Sequence, residues 1–389
     1  MDDVPAGPAS PEPRRPPLSV VIPVRNGGLD FERCLRRLLE SSWSGFELIV
    51  VDDGSSDGSA ALARDRGAIV ARNDRPLGPA AARNQGAQLA SAPLIFFLDA
   101  DVAVHPDALA RAMARFARDP GLTALFGSYD DKPSAPGLVS RFRNLLHHHV
   151  HQQGAFEDDA RPAHTFWTGC GLIRRDVFLD FGGFDPRLYP RPAIEDIELG
   201  YRLTRAGHRI VLARDVLATH MKRWTIPEMV RTDIFCRGVP WTLLMKRSRT
   251  VESDLNVKPA QKVCVILTAM VILSLPAMAM TRWASVAAAV GAAGVVALNR
   301  DFYGFLARTR GGRFAAGALP VHLVYYSCCG CSVIIALFEW HILGRLGGTA
   351  AAGAGGARLD RGEAGVPRPF LVRLAGRLAR WTRRTQRSR

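Results

Sequence analysis

No Gly-x-x-x-x-Gly-Lys run of the P-loop kind occurs in the 389 residues, and no Gly-x-Gly-x-x-Gly follows the first apolar segment. Those absences exclude the two commonest glycine-rich cradles for nucleotide phosphates. Zinc-finger spacing and the aromatic-rich motif of RNA binders are also missing. Nucleic acid is therefore set aside as a partner, although the chain is basic, with a formal net charge of +15. Seven cysteines are an odd number, and Cys328, Cys329 and Cys331 crowd into one apolar run without the spacing of a zinc site. They read as small buried hydrophobes, with no disulfide framework, in a reducing compartment. The opening MDDVPAGPASPEPRRPP has no apolar core behind its charges. Residues 1–17 thus read as a disordered, proline-rich leader and not as a signal peptide.

What is present from Leu18 onward is alternation. LSVVIPV, FELIVVDD, AIVARN and LIFFLDA are apolar and β-branched, and FERCLRRLLESS, GSAALARDRG and GPAAARNQGAQLAS between them are helix-like. This rhythm predicts an α/β fold, a mostly parallel sheet flanked by helices, and near-continuous apolar strands fit burial on both faces. In such sheets ligands bind beyond the carboxyl ends of the strands. Asp52 and Asp53 end the second strand, and Asp99 and Asp101, around Ala100, end the fourth. Both pairs should meet at one sheet edge. Aspartate also caps helices and opens turns, which would account for DDGSSDGS alone but less well for a second pair. Paired hard carboxylates suit Mg²⁺ or Mn²⁺, ions held through one or two carboxylates plus substrate phosphates. With no glycine-rich loop present, that points to a nucleotide diphosphate.

Beyond residue 258 the character changes. Val263 to Thr281 is uncharged and about the length of a membrane span. Trp283 to Leu298 follows across Arg282 alone, as in a hairpin, and Ala315 to Phe338 is a third apolar stretch. Basic residues on both sides of the hairpin, Lys258 and Lys262 before it and Arg300, Arg308, Arg310 and Arg313 after it, put its two ends in the cytoplasm. A basic tail on the same side requires Ala315 to Phe338 to be non-crossing or re-entrant. Residues 258–344 are therefore read as membrane-embedded, 345–365 as a flexible linker, and 366–389 as a basic amphipathic helix on an anionic membrane surface. In that tail Phe370, Leu371, Leu374, Leu378 and Trp381 fall on one helical face and Arg373, Arg377, Arg380 and Arg384 on the other.

Taken in order, LSVVIPVRN, IVVDDGSSDGS, GPAAARNQG, FFLDADV, GGFDP and IEDIELGYRLTRAG resemble a family 2 glycosyltransferase of the GT-A type. The resemblance covers about residues 18–245, within a domain read as 18–250: residues 18–105 for the nucleotide sugar and 106–250 for the acceptor. It implies that Asp53, with Asp52 beside it, reads the nucleotide base, and that the backbone around Pro23, Arg25 and Asn26 lines base and ribose. Arg83 would approach the nucleotide. DAD matches the DXD motif, so Asp101 would bind the metal and Asp99 the ribose or a metal-bound water. Trp167, Thr168 and Gly169 fall in the segment forming the acceptor side. Asp196 of the ED pair would be the general base, with Glu195 the nearest competitor and Glu198 the next. His220 matches a position where some relatives place a metal-binding histidine, though a lone histidine is as often structural. Lys222, Arg223 and Trp224 would face the diphosphate or a lipid phosphate. They depart from the QxxRW pattern of processive synthases, which puts long-polymer synthesis in doubt.

The histidine run HHHVHQQ, from His147, has no carboxylate near it in sequence and reads as a helix or loop surface, with a role in acceptor binding left open. The resemblance implies inverting transfer from a UDP- or GDP-sugar, and the membrane region with its flanking basic residues suggests a lipid or lipid-linked acceptor at the inner membrane, the catalytic domain facing the cytoplasm. Two rivals stay open. A nucleotidyltransferase shares the sheet plan but needs a glycine-rich basic loop after the first strand, where only Arg25, Gly27 and Gly28 stand. An inactive membrane scaffold would not need intact Asp53, Asp99, Asp101 and Asp196.

Overall fold

The computed structural model describes residues 16–248 and 258–343. The leader up to residue 15, the linker and the basic tail therefore lie outside the described residues. Nine strands form one sheet: β1 (Leu18–Val24), β2 (Phe46–Asp52), β3 (Ile69–Arg72), β4 (Leu94–Leu98), β5 (Val102–Val104), β6 (Leu122–Tyr129), β7 (Ala160–Pro162), β8 (Cys170–Arg174) and β9 (Arg209–His220). Their order is β3-β2-β1-β4-β8-β6-β9-β5, with β7 also paired to β9.

The first four strands are parallel, as the alternation predicts. Beyond them the sheet is mixed: β8 runs antiparallel to both β4 and β6, while β6 and β9 are parallel. Side chains on β1 alternate between two cores. Val20 and Ile22 join Phe31, Leu35 and Phe96 on one face, and Val21 joins Ile49, Phe97 and Phe178 on the other. Burial on both faces is why the strand reads as an unbroken apolar run. Because β2 and β4 flank β1 in parallel, Asp52 and Asp53 share a sheet edge with Asp99 and Asp101.

Two helices are long and apolar enough to cross a membrane, Pro259–Ala277 and Gly312–Ile342, and a third candidate is the pair Arg282–Leu298 and Arg300–Arg310, bent by 78°. The break therefore falls at Asn299, and the stretch Ala315 to Phe338, expected to be re-entrant, lies within the longest helix. The bend has a local cause. The Asn299 side chain donates to the Val295 carbonyl at 2.8 Å, and its backbone amide reaches the Val295 and Val296 carbonyls at 3.2 and 3.1 Å, so the first helix closes on Asn299. Helices Pro259–Ser274 and Arg282–Leu298 pack through small residues, the usual device where no hydrophobic drive separates helix from lipid. A Cβ on Gly291 would stand 2.8 Å from Val271 and 2.9 Å from the Leu267 carbonyl. Ile266, Leu273 and Ile334 remain exposed on the outer faces.

A further core, containing Phe142, Leu145, Trp224, Phe302, Leu306 and Ala318, joins helix Leu138–His151 to the C-terminal helices. The α/β unit and the apolar helices thus share buried side chains.

Candidate active site

A cavity of about 280 Å³ opens at the carboxyl end of β4. Asp99 and Asp101 lie at its mouth, partly exposed. Asp101 Oδ2 is 3.6 Å from His220 Nε2, at the end of β9. Asn144 Oδ1 lies 2.6 Å from His220 Nδ1, and the Tyr129 ring stacks on the imidazole at 4.5 Å. Donation by Nδ1–H to Asn144 would leave Nε2 the acceptor, the form a metal ligand needs. Burial alone would raise the Asp101 carboxyl, but without a cation the charged form of His220, and then Lys222, outweigh it and hold it below the usual range.

Opposite stands the start of helix Glu195–Arg205. Arg83, on helix Pro79–Leu89, is buried and bridges the two halves of the domain, donating to Asp99 at 2.6 Å and to Glu195 at 2.8 Å. The second Glu195 oxygen accepts from the Ala193 amide at 3.0 Å. Glu195 is therefore held on both oxygens. Asp196 is half-buried and accepts from the amides of Thr168 (3.2 Å) and Ile197 (2.9 Å). Burial and then the Glu195 charge push its carboxyl up to about 6, against the pull of Arg83. Glu198 pairs with Arg202 at 2.8 Å, a helix-surface bridge away from this role.

On the donor side, Asp53 is buried and accepts from Asn73 Nδ2 (3.0 Å) and from the amides of Leu77 (2.7 Å) and Gly78 (2.9 Å). A carboxylate has about four acceptor positions, so one remains open. Asp52 is fully buried, accepts from the Ser55 amide at 2.8 Å and faces Arg72 at 3.4 Å, so it builds the turn after β2. Half-buried Pro23 is the penultimate residue of β1, Arg25 is exposed, and Asn26 adopts φ +52°. The Asn26 side chain accepts from the Ser56 amide at 2.8 Å, tying its loop to the one carrying Asp53. Ala100 lies between the two DAD carboxylates on the same partly exposed turn.

Trp167 and Thr168 line the cavity, and Gly169 lets the Trp167 ring fold back over the chain. Trp224 is buried, with Lys222 4.5 Å and Arg143 5.4 Å from its ring centre. Arg223 is not brought to this cavity. It lines a separate groove with Gly27, Asp30 and Arg33, because successive residues after β9 point to opposite sides. Several wall residues were not singled out from sequence: Tyr129, Arg143, Asn144 and Arg237. His147 and His151, four apart on one helical face, also line it, and His147 packs on Tyr129 at 4.4 Å and His151 at 4.1 Å. Burial, then neighbouring His151 and Arg237, hold the His147 pKa well below its ordinary value. No group of three or more His, Cys, Asp or Glu side chains placed to hold a metal occurs among the described residues.

Residues 19–182 match the model of the family described as glycosyl transferase family 2. An uncharacterised Mycobacterium tuberculosis protein, MT1568, is 32% identical over 230 residues, covering 54% of this chain and 71% of its own length. The chain belongs to glycosyl transferase family 2. The glycosyltransferase AglE of Haloferax volcanii is 27% identical over 216 residues, 54% of this chain and 68% of its own. Among solved structures, a mannosyltransferase of Pyrobaculum calidifontis, determined with GDP-mannose and Mn²⁺, superposes with a TM-score of 0.53 at 20% identity, over 84% of this chain and 88% of that one. That likeness is one of fold, the GT-A type, and membership of family 2 makes this chain a glycosyltransferase.

Proposed function

We propose that this family 2 enzyme transfers a glycosyl group, with inversion, from a UDP- or GDP-sugar to a lipid or lipid-linked acceptor at the cytoplasmic face of the inner membrane. The observation that carries the reading is the division of labour between adjacent acids. Glu195 is tied to Arg83 and Ala193, whereas Asp196 lines the same cavity as Asp101 and His220 with a carboxyl poised near neutrality. Tyr325, from the apolar helix Gly312–Phe338, forms part of the wall, which supports an acceptor arriving from the membrane.

A divalent cation, Mg²⁺ or Mn²⁺, fits the donor set. Asp101 supplies a hard oxygen, His220 a nitrogen fixed from behind by Asn144, and the exposed side leaves room for water and phosphate oxygens. When bound, such an ion offsets the charge of the leaving diphosphate. Asp53 and the loop at Asn26 hold the nucleotide, Asp99 is fixed by Arg83 to meet the ribose, and Asp196 takes the proton from the acceptor hydroxyl as it attacks the anomeric carbon. One base and one displacement give one inversion.

The test measures UDP or GDP release by the full chain in membranes, with and without a chelator, alongside mass spectrometry of lipids from cells with and without the gene. Metal-dependent release and a glycosylated lipid present only with the gene are expected. Release from no nucleotide sugar, or a product retaining the donor's configuration, would overturn the reading.

A further inference from the structure

Segment Thr232–Gly238 is a π-helix between two α-helices, Ile226–Arg231 and Val239–Ser248. Such insertions gather at functional sites because the extra residue per turn re-aims side chains. Here it presents Arg237 to the cavity wall. Gly238, next along, lies so close to helix Gly312–Phe338 that an added Cβ would run into the Ser332 hydroxyl. Arg237 therefore stands where the cavity meets the apolar helix, whose Tyr325 shares that wall.

The three cations at this end differ in their partners. Arg143 is neutralised by Asp233 at 2.6 Å. Lys222 lies over Trp224, and its charge acts on Asp101. Arg237 has no hydrogen-bond or ion-pair partner among the described residues. The carboxylates of the cavity are gathered elsewhere, around Arg83 and at the end of β4.

We infer that Arg237 is a binding residue for a phosphate carried by the lipid acceptor. This rests on the reading of the chain as a lipid glycosyltransferase and adds the acceptor's charge. A guanidinium offers paired donors that match phosphate oxygens, and Arg237, exposed to solvent, stands open to such a ligand beside the apolar helix. The phosphate stays at Arg237 while the lipid chain follows helix Gly312–Phe338 outward.

The experiment uses the full chain in neutral detergent, with farnesyl phosphate, farnesol and inorganic phosphate as probes. Calorimetric titration should show farnesyl phosphate binding at least about tenfold more tightly than either other probe. Arg237→Ala should remove that preference, Arg237→Lys should keep part of it, and both should bind UDP or GDP as the parent does. Equal affinity for farnesyl phosphate and farnesol overturns the inference, as does equal affinity for inorganic phosphate. Loss of nucleotide binding in Arg237→Lys with the lipid preference intact also overturns it, since Arg237 would then serve the donor. Should Arg237→Ala not fold, Arg237→Gln removes the charge with less loss of side chain and is read the same way. Failure of the underlying reading is separate: it would show as a parent protein that releases UDP or GDP from no sugar donor.

Discussion

The proposed donor edge and the proposed acceptor cavity are built on different principles. At the donor edge, Asp52, Asp53, Asp99 and Asp101 follow strands that a parallel sheet carries to one line, so chain order and spatial order agree. The acceptor cavity draws Tyr129 from β6, Asn144 and His147 from one helix, Arg237 from a π-helix and Tyr325 from an apolar helix. No two of these elements are neighbours in the same regular repeat. The first region tolerates reading by motif, and the second exists only through packing. Arg83 joins them, one hand on Asp99 and the other on Glu195.

The largest effect should come from the donor edge. Asp101→Ala removes the oxygen proposed to hold the cation opposite His220, and stabilisation of the leaving diphosphate is worth several kcal/mol. Transfer should fall by about 10⁴-fold or more, and metal-dependent binding of the nucleotide sugar should vanish with the fold intact by circular dichroism. Undiminished turnover of this variant in a chelator would remove Asp101 from the metal site and break the contrast at its strong end.

Next come the adjacent acids, to which the structure gives different partners. Asp196→Asn keeps shape and loses basicity, so kcat should drop about 10²–10⁴-fold with donor binding little changed. Glu195→Gln instead leaves the buried Arg83 with one carboxylate fewer. Breaking a buried pair costs about 3–5 kcal/mol at the upper end, so this variant should lose thermal stability more conspicuously than Asp196→Asn does. Equal loss of turnover in both, with equal melting temperatures, would mean the two acids act as one unit.

The junction with the apolar helices gives a smaller, structural effect. Arg143 and Asp233 have side chains only 6% and 5% exposed, and Arg143 also lies over the Trp224 and Tyr325 rings. Asp233→Asn leaves that cation uncompensated, so the protein in detergent should melt earlier, with protease sensitivity concentrated near 226–248. Turnover should fall less than tenfold at temperatures where the variant stays folded. A melting curve superimposable on the parent's would show that Asp233 is dispensable and that packing alone holds the junction.

How much of this was legible beforehand follows from the same contrast. Asp53, Asp99, Asp101 and Asp196 sit in short motifs whose order along the chain survives folding, and β1 to β4 follow from their apolar runs. The antiparallel β8 was hidden inside a segment read for chemistry rather than structure. His147 and His151 did carry a signal, four-residue spacing on one helical face, but a polar helix surface explains that spacing equally well. Arg237 carried none, because a π-helix shifts a side chain away from the direction that 3.6-residue periodicity assigns it. Arg223 shows the converse error: adjacency to Trp224 in sequence placed it at the cavity, and the backbone sends it to the other side.

The last test needs no substitution and probes the proposed acceptor cavity by pH alone. The Asp196 carboxyl is pushed up to about 6 from an ordinary 3.8, first by burial and then by Glu195. As a base it works ionised, so kcat/KM should fall about tenfold for each unit of pH below 6 and level off above 7. Stability should move the other way. The folded chain favours the protonated acid more than the unfolded chain does. The stabilising contribution of the neutral form is full below about 3.8 and is lost as pH rises through about 6. Activity and stability therefore exchange across the same interval. Asp196→Asn should flatten both curves, which separates this group from any other acid titrating nearby. A kcat/KM profile that stays level from pH 7 down to 5, measured with nucleotide sugar and cation saturating, would mean that Asp196 is not the proton acceptor, and the acceptor cavity would then have to supply another.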